Sequence, residues 1–178
     1  MKIETTQVTK VCIKDIPNLD TLNVFIEDFR PGVGRIIIEV FGESWASSWT
    51  GMGDRDMETF FCSCNNQYLI GKLAPQLEST VTATSGMVDF LKKKVCSRRL
   101  EDQYPTKDRA RELYEMANNV ADDATVDDLG YGEAFPIDEL LGDEWWYDLP
   151  KEPNHKYEYL KRIVGVVQEA LNLKESME

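Results

Sequence analysis

The chain has 178 residues and a mass of 20.4 kDa, which fits one domain that buries roughly 70% of the surface exposed by its unfolded form. A composition that is 42% hydrophobic and 10% aromatic excludes general disorder. A net charge of −12 argues against nucleic acid as a direct ligand. No apolar run approaches the roughly 18 residues of a membrane-spanning helix, and no signal-peptide stretch is present, so we expect a cytoplasmic protein.

The first fifty residues predict an antiparallel sheet of three or four strands. Aliphatic and Thr-rich runs alternate with turn chemistry, above all Pro-Gly-Val-Gly at 31–34, where glycine permits positive φ. In the last run, Trp45, Ser47 and Trp49 share one face because side chains alternate along a strand. The predicted strands span 3–13, 22–29, 35–41 and 43–50.

After residue 53 the apolar spacing becomes helical. Asp54 or Asp56 is the expected N-cap of a short helix or broken pair. The clearest helix follows Asn154, where we expect an apolar stripe to pack across the sheet and Glu158 to pair with Arg162. Residues 77–85 are predicted as a loop, and 122–150 hold short helices. The predicted helices span 57–64, 67–73, 87–100 and 105–120, and the stripe is Tyr157, Leu160, Ile163, Val164, Val167 and Leu171.

The net charge is concentrated between Arg111 and Lys151. These 39 positions, here called the acidic segment (112–150), contain twelve acidic residues and no Lys or Arg. The other 20 acidic residues are matched by the chain's 20 basic ones, so the segment carries the whole net charge. A basic stretch, 92–111, precedes it. The acidic residues are Glu112, Glu115, Asp122, Asp123, Asp127, Asp128, Glu133, Asp138, Glu139, Asp143, Glu144 and Asp148.

Three interpretations of this segment stay open. It is a solvated face, paired in part with the basic stretch, or a surface that attracts a basic protein, or a metal site. The aromatic group Trp145-Trp146-Tyr147 stands among its acids. Either the group is an interface anchor within a polar rim, or one tryptophan folds back into the core and pins the segment. The candidate contact residues are Asp122, Asp123, Asp127, Asp128, Glu133, Asp138, Glu139, Asp143, Glu144, Trp145, Trp146 and Asp148.

No residue pattern predicts a catalytic, metal or cofactor site. The clustered cysteines, Cys62 and Cys64, are too close together for a zinc pair and lack a second pair, so we expect thiols. His155 is the single histidine and is expected to be structural or exposed. Residues 122–133 have the length of a calcium loop but lack its oxygen ligands and its glycine.

The chain resembles an uncharacterised family of small proteins encoded by tailed phages and prophages. The resemblance covers roughly 1–73 and 150–172 and rests on five motifs. It implies expression in the cytoplasm of an infected bacterium and an accessory role rather than a place in the virion. The motifs are Val24-Phe25-Ile26-Glu27-Asp28, Pro31-Gly32-Val33-Gly34, Gly42-Glu43-Ser44-Trp45 with Trp49, Gly51-Met52-Gly53 with Phe60-Phe61-Cys62-Ser63-Cys64, and Tyr157-Glu158-Tyr159-Leu160.

We therefore predict a single α+β domain. Residues 1–73 form the sheet and first helix, 74–150 a variable helical insertion that is acidic from 112, and 151–178 the closing helix. The preferred function is non-enzymatic binding to a basic surface of a host or phage protein. The target would be a nucleic-acid-handling or host-defence factor, inhibited by DNA mimicry as an anti-CRISPR protein would do. A divalent-metal-dependent enzyme of phage nucleotide or nucleic-acid metabolism, and an assembly adaptor, are the alternatives.

Overall fold

The structure, a computed structural model, describes residues 2–3, 5–83, 85–101, 104–131 and 135–175. The fold is α+β, as predicted. The strands are β1 (Thr9–Ile13), β2 (Leu22–Arg30), β3 (Val33–Val40), β4 (Glu43–Trp49), β5 (Thr80–Thr82) and β6 (Lys151–Pro153). The helices are α1 (Met57–Ser63), α2 (Asn66–Leu73), α3 (Met87–Glu101), α4 (Lys107–Ala117), α5 (Val126–Tyr131), α6 (Ile137–Leu141), a 3-10 turn (Trp145–Tyr147) and α7 (His155–Glu175).

The chain divides into two compact units. The first contains residues 1–78 and 155–178, and the second contains residues 79–154. The predicted closing helix thus belongs to the same unit as the predicted sheet, and the predicted insertion forms most of the other unit. That the two units fold together as one domain stays a prediction.

The first unit is built on an antiparallel sheet with the strand order β1-β2-β3-β4. One face is buried because the strands follow the period of two, with Val24 of β2 directly opposite Ile38 of β3. Leu22, Ile26, Ile36 and Val40 complete this face. The predicted strand 3–13 is too long, since pairing with β2 begins at Thr9.

The turn between β3 and β4 differs from the prediction. Phe41, expected to end a strand, instead forms a two-residue turn with Gly42. Both residues have positive φ, 44° for Phe41 and 87° for Gly42, as a type I′ hairpin turn requires. The Phe41 side chain is 91% exposed. The run of aliphatic residues before it hides this turn in the sequence.

Helices α1 and α2 form the expected broken pair. Asp56 caps α1 by accepting a hydrogen bond from the Thr59 amide at 2.7 Å, which satisfies one of the amides that a helix start leaves unpaired. The Asp28 carboxylate, from the sheet, accepts a hydrogen bond from the Met57 amide at 2.8 Å. The start of α1 is therefore fixed both locally and by β2.

Helix α7 buries the predicted stripe in the core formed by the sheet, α1 and α2. Its Gln168 amide donates hydrogen bonds to the carbonyls of Phe61 and Cys64, at 2.9 and 2.8 Å, and so satisfies the end of α1. The predicted pair of Glu158 with Arg162 is wrong. Lys161 pairs with Glu158 at 3.1 Å, while Arg162 donates to the carbonyls of Pro17 and Asn18, acceptors that no helical spacing indicates.

The second unit packs α3, α4, α5, α6 and the 3-10 turn around a separate core. Strands β5 and β6 pair antiparallel, so residues 77–85, predicted as a loop, contain a short strand. Strands of three residues have too little pattern to be recognised in the sequence. The core residues are Met87, Leu91, Val95, Leu113, Ala117, Val120, Ala124, Leu129, Phe135, Ile137, Leu140, Trp145 and Leu149.

One prediction concerns cooperativity. Ile38→Ala in the first core and Leu113→Ala in the second each remove a fully buried side chain. Each should lower the free energy of unfolding by about 2–5 kcal/mol. The fluorescence of Trp49 reports on the first core and that of Trp145 on the second, each in a variant that retains only that tryptophan. If the chain is one domain, both probes show the same single urea transition, and each substitution shifts it. Two separate transitions, each moved by one substitution, would contradict the single-domain prediction.

Candidate functional site

The acidic segment is held by short helices that turn apolar residues inward. Leu129 of α5 and both Ile137 and Leu140 of α6 are buried in the second core. The first turns of these helices are acidic, with Asp127 and Asp128 in α5 and Asp138 and Glu139 in α6. Carboxylates are favourable at helix starts because the helix dipole is positive there. The helical period therefore buries the apolar residues and leaves most of the acids outside.

Most acids of the segment are exposed. Glu139 is half-buried and Glu133 lies outside the described residues. This location agrees with the interpretation of the segment as a charged surface and excludes a buried carboxylate cluster among its described residues. The exposed acids are Glu112, Glu115, Asp122, Asp123, Asp127, Asp128, Asp138, Asp143, Glu144 and Asp148.

Two bases of the basic stretch form ion pairs with three acids of the segment. Arg109 donates from Nε to Glu139 and from Nη1 to Glu112, each at 2.9 Å, and Lys94 pairs with Asp148 at 3.3 Å. Among the residues that the structure describes, the other acids of the segment form no ion pair. Internal pairing therefore involves three carboxylates and leaves the other described acids of the segment without an ion pair. That the segment attracts a basic protein stays a prediction.

Two of the acids also hold the local structure. The Asp128 carboxylate accepts hydrogen bonds from the amide and hydroxyl of Thr125, at 2.8 and 2.6 Å, which lowers the pKa of Asp128. The Thr125 hydroxyl in turn accepts from the Asp128 amide at 3.3 Å, so the two residues form a capping box. Hydrogen bonds from Arg109 hold the pKa of Glu139 below its usual range.

The aromatic run separates into one core residue and two exposed ones. Trp145 is 5% exposed and its ring packs over Gly130, where a Cβ would lie 3.2 Å away. Because Trp145 is buried, we retain it as a core residue and not as a contact residue. Trp146 and Tyr147 are 43% and 68% exposed, with ring centroids 5.8 Å apart.

Trp146 and Tyr147 thus form an exposed aromatic pair within the acidic segment. Asp143, Glu144 and Asp148, all exposed, flank the pair along the chain. We call these five residues the aromatic–acidic patch. Tyr147 belongs to the aromatic group predicted as a possible anchor, although the list of candidate contact residues names only the two tryptophans.

The other polar groups of the described residues do not form a metal site. Nowhere among them do three His, Cys, Asp or Glu side chains lie close enough together to hold a metal ion. Cys62 and Cys64 are half-buried and form no disulfide with each other, and burial raises the pKa of Cys64. No helix in the described part of the chain has the length and apolar character needed to cross a bilayer.

Comparison with known proteins identifies the family. The model of the phage family Phage_phiTE_072 matches residues 1–172. The chain belongs to this phage family. The phage-family match confirms the resemblance and also runs through the acidic segment, which the resemblance had left out. No curated protein and no solved structure matches the chain.

The Arg109–Glu139 pair predicts a pH-dependent stability. Because the folded pKa of Glu139 is lowered, its stabilisation is fully present above the unfolded value of about 4.3 and disappears as pH falls through the folded value. We expect Glu139→Gln to lower the melting temperature at pH 7 by about 1–4 °C. The difference from wild type should vanish in acid below the folded pKa.

Asp138→Asn is the matched control, because Asp138 lies in the same first turn, shares the effect of the helix dipole, and has no ion pair among the described residues. Its effect should therefore be smaller than that of Glu139→Gln. Thermal melts across the acid range measure both variants. A Glu139→Gln effect that is the same at pH 7 and in acid would contradict the stabilising role of the ion pair.

Proposed function

We propose that this phage-family protein is a non-enzymatic accessory protein that binds a basic surface of a host or phage protein through its acidic segment. One observation carries the proposal. The acidic segment has no Lys or Arg over 39 residues, and most of its exposed carboxylates form no ion pair with a described residue. Such a surface attracts positive charge and accelerates encounter with a basic partner.

The aromatic–acidic patch supports a specific contact in addition to long-range attraction. Exposed charges raise the rate of association and orient the partner, whereas aromatic side chains that become buried in the interface contribute much of the affinity. Trp146 and Tyr147 supply such anchors, and Asp143 and Glu144 beside them supply a polar rim. The acids bonded by Arg109, Lys94 and Thr125 stabilise the fold of the second unit, so the proposed contact residues are those outside these bonds.

The finer proposal is that the partner handles nucleic acid. A protein whose DNA-binding surface is basic presents the charge that a cluster of carboxylates complements. In an infected bacterial cytoplasm, a phage protein that covers such a surface would act as a DNA mimic and inhibit a host defence or nucleic-acid-handling factor. The charge of the segment supports this proposal, and its family membership places the protein among phage proteins.

Charge-matched variants test the acidic surface. The variant Asp123→Asn, Asp143→Asn, Glu144→Gln removes three exposed charges from the acidic segment. The control variant Asp15→Asn, Asp54→Asn, Glu169→Gln removes three exposed charges from the first unit, none of which forms an ion pair with a described residue, and so has the same net charge. We expect affinity purification from bacterial host lysate, quantified by mass spectrometry, to lose the partner with the first variant and retain it with the control.

Salt provides the second arm of this test. Because exposed charges are screened, recovery of the partner should fall as ionic strength rises. Recovery of the same partner by both variants, at low and high salt alike, would sink the proposal.

Competition with DNA tests the finer proposal. Once the partner is purified, duplex DNA should displace the protein from it, because both occupy the same basic surface. Trp146→Ala should weaken the complex by about tenfold or more, as expected for an aromatic anchor. Simultaneous binding of DNA and the protein to the partner, seen by analytical ultracentrifugation, would contradict DNA mimicry while leaving the acidic interface intact.

A further inference from the structure

The first unit contains a second surface that the acidic segment does not include. A cleft of about 950 Å³ opens beside the β3–β4 hairpin. Its walls come from that hairpin, from the residues that follow α2, and from the start of α7. Its lining includes Asp20, Phe41, Glu43, Trp45, Leu77 and Tyr159.

Phe41 is the feature of this cleft that the fold does not explain. Its φ of 44° is a conformation that bulky side chains rarely adopt, and the turn position that it occupies favours Asn, Asp or Gly. The side chain is 91% exposed, so it contributes almost no burial in return. A residue that breaks a local rule without stabilising the fold is expected at a functional site.

The edge of the sheet beside the cleft is open. Strand β4 pairs with β3 alone, and among the described residues its outer edge makes no other backbone hydrogen bond. The strand has no Lys, Pro or bulge, which are the devices that protect an edge from further pairing. Its exposed Ser44, Ala46 and Ser48 are small and leave the edge accessible to another strand.

The open edge of β4 lies beside the cleft, so one extended ligand would contact both. Side chains directly opposite each other on paired strands share a face of the sheet. A strand added to β4 would therefore direct alternate side chains to the face of Glu43 and Trp45, which line the cleft. There they would meet Tyr159, whose ring lies 6.5 Å from that of Trp45, and the exposed ring of Phe41.

The charges of the cleft indicate which residue types such a ligand would contain. Asp20 and Glu43 are exposed and form no ion pair with a described residue. Lys156 is the single lysine among the lining residues and no arginine joins it, so the lining has a net negative charge. A basic residue next to an apolar one would complement both the carboxylates and the aromatic walls.

We propose that β4 and the cleft bind an extended segment of a partner protein by strand addition. The segment pairs its backbone with the β4 edge, places a large apolar or aromatic side chain against Phe41, Trp45 and Tyr159, and presents a basic residue to Asp20 and Glu43. This surface lies in the first unit and is independent of the acidic segment.

The test uses a yeast-displayed library of random linear peptides and the full chain. We expect enriched peptides to share an aromatic or large aliphatic residue near Arg or Lys. A labelled enriched peptide is then titrated by fluorescence polarisation. Phe41→Asn should weaken its binding about tenfold or more while raising the melting temperature by about 1–4 °C, because Asn-Gly suits the turn.

Two further variants separate the parts of the site. Phe29→Asn makes the same change at an exposed phenylalanine outside the cleft and should leave the affinity unchanged. Ala46→Lys adds a charge at the β4 edge without changing a lining residue, and should weaken the peptide about tenfold or more. Failure to enrich any peptide, or peptide binding that survives both Phe41→Asn and Ala46→Lys, would overturn the proposal.

A second copy of the chain is the competing occupant. Sedimentation velocity of the chain alone distinguishes it, and we expect a monomer whose behaviour is the same in the wild type and in Ala46→Lys. A dimer that Ala46→Lys dissociates would assign the edge to self-association and overturn the proposal of a partner segment.

Discussion

The absence of any Lys or Arg over 39 positions is the constraint on which the second unit depends. A stretch with twelve acids cannot pair its charges within itself, so it folds by burying apolar residues such as Leu129 and Ile137 and leaving carboxylates in water. Neutralisation comes from outside the stretch, from Arg109 and Lys94. These ion pairs stabilise the fold of the second unit, and the carboxylates without an ion pair give the unit a negative electrostatic potential.

Periodicity in the sequence was sufficient for most of the fold. The alternation from Leu22 onward and the stripe that contains Leu160 and Val164 predicted the sheet and the closing helix, because each element buries one face. Features that depend on distant parts of the chain were missed. Lys151–Pro153 pairs with a strand about seventy positions earlier, and Arg162 bonds to carbonyls near residue 17, so neither contact leaves a local pattern.

The sequence predicted which residue types form the candidate site but not which of them are buried or paired. The sequence located the base-free window and its aromatic run, yet Trp145 and Trp146 are adjacent and chemically identical, and the core alone decides which of them is buried. Likewise Glu139 and Asp138 are neighbours, and Arg109 bonds to Glu139 because α4 and α6 both pack against α3 in the second core. Phe41 was unrecognised because an unfavourable turn residue cannot be distinguished from a strand end by hydrophobicity.

The central claim is that the second unit carries a negative surface that internal pairing does not cancel. It can be measured directly by NMR, from the paramagnetic relaxation of backbone amide protons by a cationic and by an anionic nitroxide of similar size. If the surface is negative, the amides of Asp122, Asp123, Asp143 and Glu144 relax more strongly with the cationic probe than with the anionic one. Equal relaxation by both probes along this stretch would contradict it.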